Sequence, residues 1–236
     1  MVQSSVTDNN SSCFRSNTES DIKVGLYLKR CPGRQAIENY ISNKYFQTHH
    51  AFLTEYLPIL VGFHGMGGFL GAYGLRPGQY RPMFLEQYLD SPVEQQVASF
   101  SKKPVDRCAL IEIGNLAITR RGYGSFVMVV MAMAIAEAGY EWMVFTVTEQ
   151  VERLMNRLGF EPHYLVNADP DCLDGDKSCW GSYYENHPRV MVGNLKVARQ
   201  VITDNERRNE MANQQRAKIT YIANSPRDYR RLRRVD

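Results

Sequence analysis

The sequence lacks the features that define several large classes of protein. Its five cysteines are scattered and form no Cys-x-x-Cys pair, so it indicates neither a disulfide framework nor a cysteine zinc site. A formal net charge of +3 over 236 residues is too small to indicate nucleic-acid binding. The N-terminal residues do not show a basic start followed by an apolar core, which is the pattern of a secretory signal. We therefore expect a cytoplasmic globular protein with no nucleic-acid partner and no metal site.

The sequence also has no apolar run that is long enough to cross a bilayer. The longest, residues 126–136, is too short, and Glu137 and Glu141 follow it. The adjacent histidines His49 and His50 are a poor pair of metal ligands, because neighbouring residues on a helix or strand do not face one point. We expect one of them to be packed and the other exposed.

Composition divides the chain into three parts. Residues 1–20 are rich in Ser, Asn and Thr, which predicts a disordered leader. Residues 21–203 carry the hydrophobic patterns of one domain. Residues 204–236 form a basic tail; ten basic and five acidic residues fall between 199 and 236. Such a tail is either a solvated end or a docking surface for an acidic carrier protein or an anionic lipid surface.

Hydrophobic periodicity predicts an α/β domain in which strands and helices alternate. Residues 91–94 have the pattern of a capping box with proline at the first helical position. Residues 126–137 form a helix that is apolar on every side, so something besides a sheet must cover it. The predicted strands are 23–30, 59–63, 69–73, 109–118, 142–148, 160–166 and 189–195, and the other predicted helices are 34–46, 91–100 and one after Thr148.

A glycine loop between strand 109–118 and helix 126–137 is the strongest local motif. It contains Arg121, Gly122, Gly124 and Ser125. A helix N-terminus presents unpaired N–H donors and partial positive charge, and glycines allow close backbone approach. The order of strand, loop and helix therefore fits a phosphate-binding cradle, although an ordinary strand-to-helix turn has the same pattern.

This loop resembles the pyrophosphate-binding loop of GNAT-type acyltransferases, with Phe126 where that family has a small residue. The order of elements is similar to that of acyl-homoserine-lactone synthases and N-acyl amino acid synthases. Several segments, in order, also resemble the bacterial thermostable haemolysin family: residues 49–51, 84–90, 112–117, 145–148, 157–160 and 180–185. The resemblance implies one GNAT-like domain, with a mixed sheet flanked by helices and splayed where strand 109–118 meets strand 142–148.

The resemblance also implies a donor and an acceptor. The donor is acyl-CoA or the phosphopantetheine of an acyl carrier protein, which could dock on the basic tail, and the acceptor is a small-molecule amine. Residues of the central strand, Leu116, Ala117 and Ile118, border the donor, and a backbone N–H near Leu116 or Ala117 holds the thioester oxygen. Oriented donors of this kind stabilise the developing oxyanion.

Glu112 is the candidate general base. It is the only acid in an apolar strand, and burial raises a carboxyl pKa toward neutrality. The resemblance supports this role, because GNAT enzymes often place a glutamate on this strand. The alternative is a structural glutamate paired with an arginine such as Arg76 or Arg107.

Two further groups are candidates for substrate binding. Glu86 and Asp90, spaced i and i+4, resemble the acidic pair with which lactone synthases hold the amino group of their substrate, although such spacing also occurs on solvated helix faces. Trp180, Tyr183 and Tyr184 are candidates to line an acyl pocket, with Tyr184 as the proton donor to the leaving thiolate. The alternative for each is core packing.

These observations favour an N-acyltransferase that moves an acyl group from a thioester to an amine. A membrane-active haemolysin and a catalytically silent binding module remain as alternatives.

Overall fold

A seven-stranded mixed sheet forms the centre of the molecule. The computed structural model describes residues 21–80, 82–119 and 122–233, so the predicted leader lies outside the described residues. Neighbouring strands follow the order β1-β2-β3-β4-β5-β7-β6 and are antiparallel except for the parallel pair β4 and β5. The strands are β1 Lys23–Leu28, β2 Ile59–Gly65, β3 Gly68–Pro77, β4 Leu110–Ile118, β5 Trp142–Val147, β6 His163–Asn167 and β7 Arg189–Asn194.

Seven α-helices are described, and together with the sheet they confirm the predicted fold class. They are α1 Arg34–His49, α2 Val93–Ser101, α3 Tyr123–Glu137, α4 Glu149–Arg157, α5 Leu195–Thr203, α6 Glu206–Gln214 and α7 Arg216–Arg233. The predicted capping box is wrong. Helix α2 begins after Pro92 with no side-chain cap, because the Glu94 carboxylate binds Arg107 instead.

Opposite faces of the sheet carry different helices. On one face, Ile37 and Ile41 of α1 pack against Leu60, Ala72 and Ala117. On the other face, α3 and α4 pack against the alternate residues of the same strands in the largest core cluster. The alternation of a β-strand thus gives each face its own apolar set.

Helix α3 is covered on every side, as its composition predicts. All residues from Phe126 to Ile135 are buried, and α5, α6 and α7 pack against α3 in addition to the sheet. Ile219 and Ile222 of α7 are 0% and 1% exposed. Part of the segment predicted as a basic tail therefore packs on α3, because Ile219 and Ile222 belong to an apolar stripe that helps to cover this helix.

The sheet opens between β4 and β5, as expected from the resemblance. Their pairing ends at Ile113 and Phe145, whereas β4 continues to Ile118 and β5 to Val147. A bulge in β4 adds to this divergence. Asn115 lies there in the left-handed region with φ 50°, a conformation that asparagine tolerates, and its Oδ1 accepts a hydrogen bond from Leu57 N at 2.8 Å.

Candidate active site

A cavity of about 740 Å³ occupies the opening between β4 and β5. Residues 113–119 of β4 and its end line one side, and residues 145–148 of β5 and its end line the other. Among the described strands, none pairs with β4 on the β5 side beyond Ile113, so backbone groups that point that way face the cavity. Leu116, Ala117 and Ile118, the predicted donor-binding residues of this strand, all line it.

The N-terminus of α3 forms one end of the cavity. Gly122 caps the helix with φ 97°, no acid lies in its first turn, and Gly122, Gly124 and Ser125 line the cavity. A Cβ at Gly124 would lie 2.8 Å from Leu154 Cδ2, so any larger residue here would require the Leu154 side chain of α4 to move. The structure therefore brings three of the four predicted cradle residues together, and Arg121 lies outside the described residues.

The described cavity wall carries basic groups and no carboxylate. Its charged side chains are Lys44 from α1 and Arg153 and Arg157 from α4. Arg153 is paired with Glu149 at 2.6 Å. For Lys44, the described residues offer only Gln47 Oε1, at 3.3 Å, and no described carboxylate pairs with Arg157. The wall thus suits anionic groups of a ligand.

An aromatic group closes the cavity at the C-terminal end of α1. The rings of His49 and Tyr183 meet edge to face at 5.3 Å between centroids, and Tyr45 stacks on Tyr183 at 6.1 Å. Backbone hydrogen bonds fix this arrangement: Ser182 N donates to His49 O at 2.8 Å, and Phe52 N donates to Cys179 O at 2.6 Å. The loop that carries Tyr183 is therefore pinned to the helix that carries His49.

The protonation states of His49 and Tyr183 suit different roles. Burial lowers the pKa of His49 from its ordinary value of 6.5, so the imidazole is neutral at pH 7 and able to accept a proton. Its Nδ1 lies 3.4 Å from Asn186 Nδ2, a long contact that leaves both tautomers open. Burial raises the pKa of Tyr183, so its hydroxyl, which bonds to no described residue, keeps its proton.

Glu112, the predicted base, is buried at 3% exposure outside the cavity lining. Its carboxylate accepts hydrogen bonds from Phe84 N at 3.1 Å and Leu85 N at 2.9 Å. Arg76 Nε lies 3.7 Å from its Oε2. Burial raises the pKa of Glu112, while Arg76 and the two N–H groups act against that rise. This geometry matches the structural alternative, a buried glutamate with an arginine partner.

Glu86 and Asp90 do not form a pair on one face. The 3-10 segment Phe84–Tyr88 ends before Asp90, which is exposed. Glu86 receives two hydrogen bonds from Arg107, at 2.7 and 2.5 Å. Burial acts to raise the pKa of Glu86, but Arg107 and the N–H groups of Met83 and Val93 lower it overall. Neither acid lines the cavity.

Among the predicted aromatic residues, only Tyr183 lines the cavity. The Tyr184 hydroxyl lies 2.5 Å from the Tyr88 hydroxyl, and burial raises the pKa of Tyr184 to about 12. Trp180 packs on Phe84 at 5.8 Å between centroids. The alternative of core packing therefore describes the surroundings of Tyr184 and Trp180.

The sequence matches the family model described as "Thermostable hemolysin" over residues 28–199. The chain belongs to the thermostable haemolysin family. No curated protein sequence matches it significantly.

Solved structures with a similar fold include acyl-transferring synthases. FeeM, an N-acyl amino acid synthase from uncultured soil microbes, is 12% identical, with 76% of this chain and 94% of FeeM covered at a TM-score of 0.50. BjaI, a CoA-dependent acyl-homoserine lactone synthase with SAM and isopentyl-CoA, is 12% identical, with 78% and 88% covered at 0.53. At this identity the likeness shows that this thermostable haemolysin family member has their GNAT-like fold.

Several cavity residues of this family member were not predicted. From α1 they are Lys44, Tyr45, Thr48 and His49. A signal was present, because Lys44/Thr48 and Tyr45/His49 are two i, i+4 pairs on adjacent faces of one helix. The histidine expectation is confirmed, since His50 is exposed and His49 is packed.

Two other features of the family member concern metals and membranes. Within residues 21–80, 82–119 and 122–233, no group of His, Cys, Asp and Glu side chains is arranged to hold a metal ion. None of the helices in these ranges combines the length and apolar character required to cross a bilayer.

Proposed function

We propose that this protein is an N-acyltransferase that moves an acyl group from a thioester donor to the amine of a small molecule. The observation that carries this proposal is the cavity between the diverging strands β4 and β5, with the α3 N-terminus at one end and His49 with Tyr183 at another. A helix N-terminus can hold a donor phosphate, unpaired strand backbone can stabilise the oxyanion, and a neutral imidazole can accept the proton of the amine.

The donor is acyl-CoA or an acyl group on carrier-protein phosphopantetheine. Its pyrophosphate or phosphate lies at Gly122, Gly124 and Ser125, where free N–H groups and the helix dipole favour an anion. We also assign Arg121 to this cradle from the sequence motif. The thioester lies along β4, with its carbonyl oxygen near the backbone of Leu116 or Ala117.

A wall rich in methionine suits the acyl chain. Met128 and Met131 of α3, Met143 of β5 and Met155 of α4 line the cavity together. Methionine is unbranched and polarizable, so such a wall adapts to flexible apolar chains.

His49 is our candidate base in place of Glu112. The amine nitrogen attacks the thioester carbonyl carbon, the C–S bond breaks, and the electron pair leaves on sulfur. The proton lost by the amine passes to the neutral imidazole of His49. Tyr183, which keeps its proton, donates a hydrogen bond to the oxyanion or to the departing thiolate.

Thiol release tests the proposal directly. The purified full chain is incubated with amines and with acyl-CoA donors of increasing chain length, and then with acyl carrier protein donors. Mass spectrometry identifies the products. We expect thiol release that depends on the amine, with an N-acyl product. Absence of release with every donor, together with lysis of red cells by the pure protein, would favour the activity that the family name records.

A further inference from the structure

We infer that the acceptor amine carries a carboxylate and that Lys44 and Thr48 form the site that holds it. This inference rests on the proposed acyl transfer and names its acceptor class. Lys44 and Thr48 lie four residues apart on α1 and both line the cavity. Residues at this spacing are neighbours on a helix surface, about 5–6 Å apart between Cβ atoms, so one carboxylate can reach both side chains.

The charged side chains of the cavity wall favour an acceptor that has an anionic group. No aspartate or glutamate lies in its described wall, and Lys44 there has no described carboxylate partner. A cationic acceptor without an anionic group would meet only positive side chains. An acceptor with its own carboxylate would pair with Lys44 through a charge-assisted hydrogen bond.

The position of Lys44 separates it from the donor phosphates. It lies on α1, which packs on one face of the sheet, whereas the phosphate cradle and Arg157 belong to α3 and α4 on the other face. The two cavity cations without a described carboxylate partner therefore lie on opposite faces. We assign Arg157 to an anionic group of the donor and Lys44 to the acceptor.

The proposed base lies in the same cavity as the proposed carboxylate site. Lys44, Thr48 and His49 all come from α1 and all line the cavity. In an α-amino acid one carbon separates the amine from the carboxylate. A carboxylate held by Lys44 and Thr48 therefore keeps the amine within the cavity that His49 lines.

The C-terminal end of α1 carries partial negative charge, which repels a bound carboxylate. This repulsion is weaker than the attraction between the carboxylate and Lys44. The helix dipole amounts to about half a negative charge at that end. His50 N donates to Phe46 O at 2.8 Å, and Ser182 N donates to His49 O at 2.8 Å, so terminal carbonyls are already satisfied. A full charge at Lys44 therefore outweighs this partial one.

The test compares acceptors that differ only in the carboxylate. Leucine, leucinamide and 3-methylbutylamine, and the matching phenylalanine series, are assayed by thiol release with one acyl-CoA donor. For the full chain we expect kcat/KM for the amino acids to exceed that for the amides and amines by roughly 10- to 100-fold, the scale of a charged hydrogen bond. Lys44→Met should remove this gap, and Lys44→Arg should retain part of it. Lys196→Met, at an exposed lysine of α5, should leave the gap unchanged.

Two results would overturn the inference while leaving acyl transfer in place. One is equal kcat/KM for amino acids, amides and amines. The other is a Lys44→Met protein with a raised donor KM and an undiminished preference for amino acids. If no thiol is released at all, the proposed function fails. Calorimetry then measures the binding of the same acceptors and decides whether Lys44 holds their carboxylate. Amino acids that bind at least tenfold more weakly to Lys44→Met support the site, and equal binding refutes it.

Discussion

Two regions of this molecule hold charged side chains in opposite ways. One is an ion-pair cluster that is partly to fully buried and consists of Arg76, Glu86, Glu94, Arg107 and Glu112. In this cluster every carboxylate has an arginine partner. The described cavity wall contains no carboxylate, and two of its three cations, Lys44 and Arg157, have no described carboxylate partner. Burying an unpaired charge is costly, so a buried acid with a partner is part of the fold. A cation that faces a cavity without a partner is available to a ligand. This difference separates the structural charges from those proposed to act on substrate.

Among the charged residues, Arg107 should show the largest loss of stability when it is substituted. This side chain is 8% exposed and binds Glu86, Glu94 at 2.6 Å and Gly78 O at 2.7 Å. Arg107→Met should lower the free energy of unfolding by about 3–5 kcal/mol, because it removes the arginine that pairs with both Glu86 and Glu94. Urea denaturation measures this. Arg153→Ala, which removes an exposed pair, is the control and should cost less than about 1 kcal/mol. Equal losses in the two variants would contradict the structural assignment of the cluster.

On the cavity side, His49 should show the largest effect on activity. His49→Gln should lower kcat by roughly 100-fold or more, the usual scale for loss of a general base, with the melting temperature little changed.

The pH profile provides a second measure of His49. Because burial lowers the pKa of His49 below 6.5, kcat/KM of the native enzyme should fall as the pH drops through that lowered value. This acid limb should be missing from His49→Gln. A variant that keeps the limb would assign the base to another group.

The sequence predicts the seven strands and helices α1 to α4 because their signals are local, but it does not predict α5, α6 or α7. Periodicity places β4, the glycine loop and α3 to within about three residues of their positions. The sequence does not reveal the packing of α7, because Ile219 and Ile222 are flanked by basic residues that give the segment the composition of a solvated end.

The site is less predictable, because its walls join residues that are distant in the chain. Nothing in the sequence brings His49 to Tyr183; a loop pinned by backbone hydrogen bonds does so. The sequence does indicate that Glu112 is buried and offers Arg76 as one possible partner, but it does not indicate which N–H groups donate to the carboxylate. The 3-10 segment that supplies Phe84 N and Leu85 N decides that.

Substitution of Glu112 also tests whether the ion-pair cluster is structural, with a smaller expected loss of stability than substitution of Arg107. Glu112→Gln replaces one accepting oxygen with a donor that faces a backbone N–H. We expect a loss of about 1–3 kcal/mol in the free energy of unfolding, with kcat unchanged. A fall in kcat of roughly 100-fold at an unchanged melting temperature would restore Glu112 as the base.

The sign of the pH dependence follows from the raised pKa of Glu112. The folded state holds this proton more tightly than the unfolded state does. The resulting stability is complete below the ordinary value of 4.5 and is lost as the pH rises through the raised value. The stability of the native protein relative to Glu112→Gln should therefore decrease over that interval. Parallel curves for the two proteins would contradict the raised pKa.

Arg157 should give the smallest effect and the most specific one. It is exposed in the last turn of α4, so its attraction to a donor phosphate is screened by water and salt. Arg157→Met should raise the KM for acyl-CoA roughly two- to fivefold, as expected for an exposed ion pair, and added salt should shrink the difference. The matched control is the acyl thioester of pantetheine, which has no phosphate and should show the same KM with both proteins. Since a cation also stabilises a helix C-terminus, the melting temperature must be measured alongside. A variant with lower stability but an unchanged KM for acyl-CoA would show that Arg157 stabilises the fold and does not bind the donor.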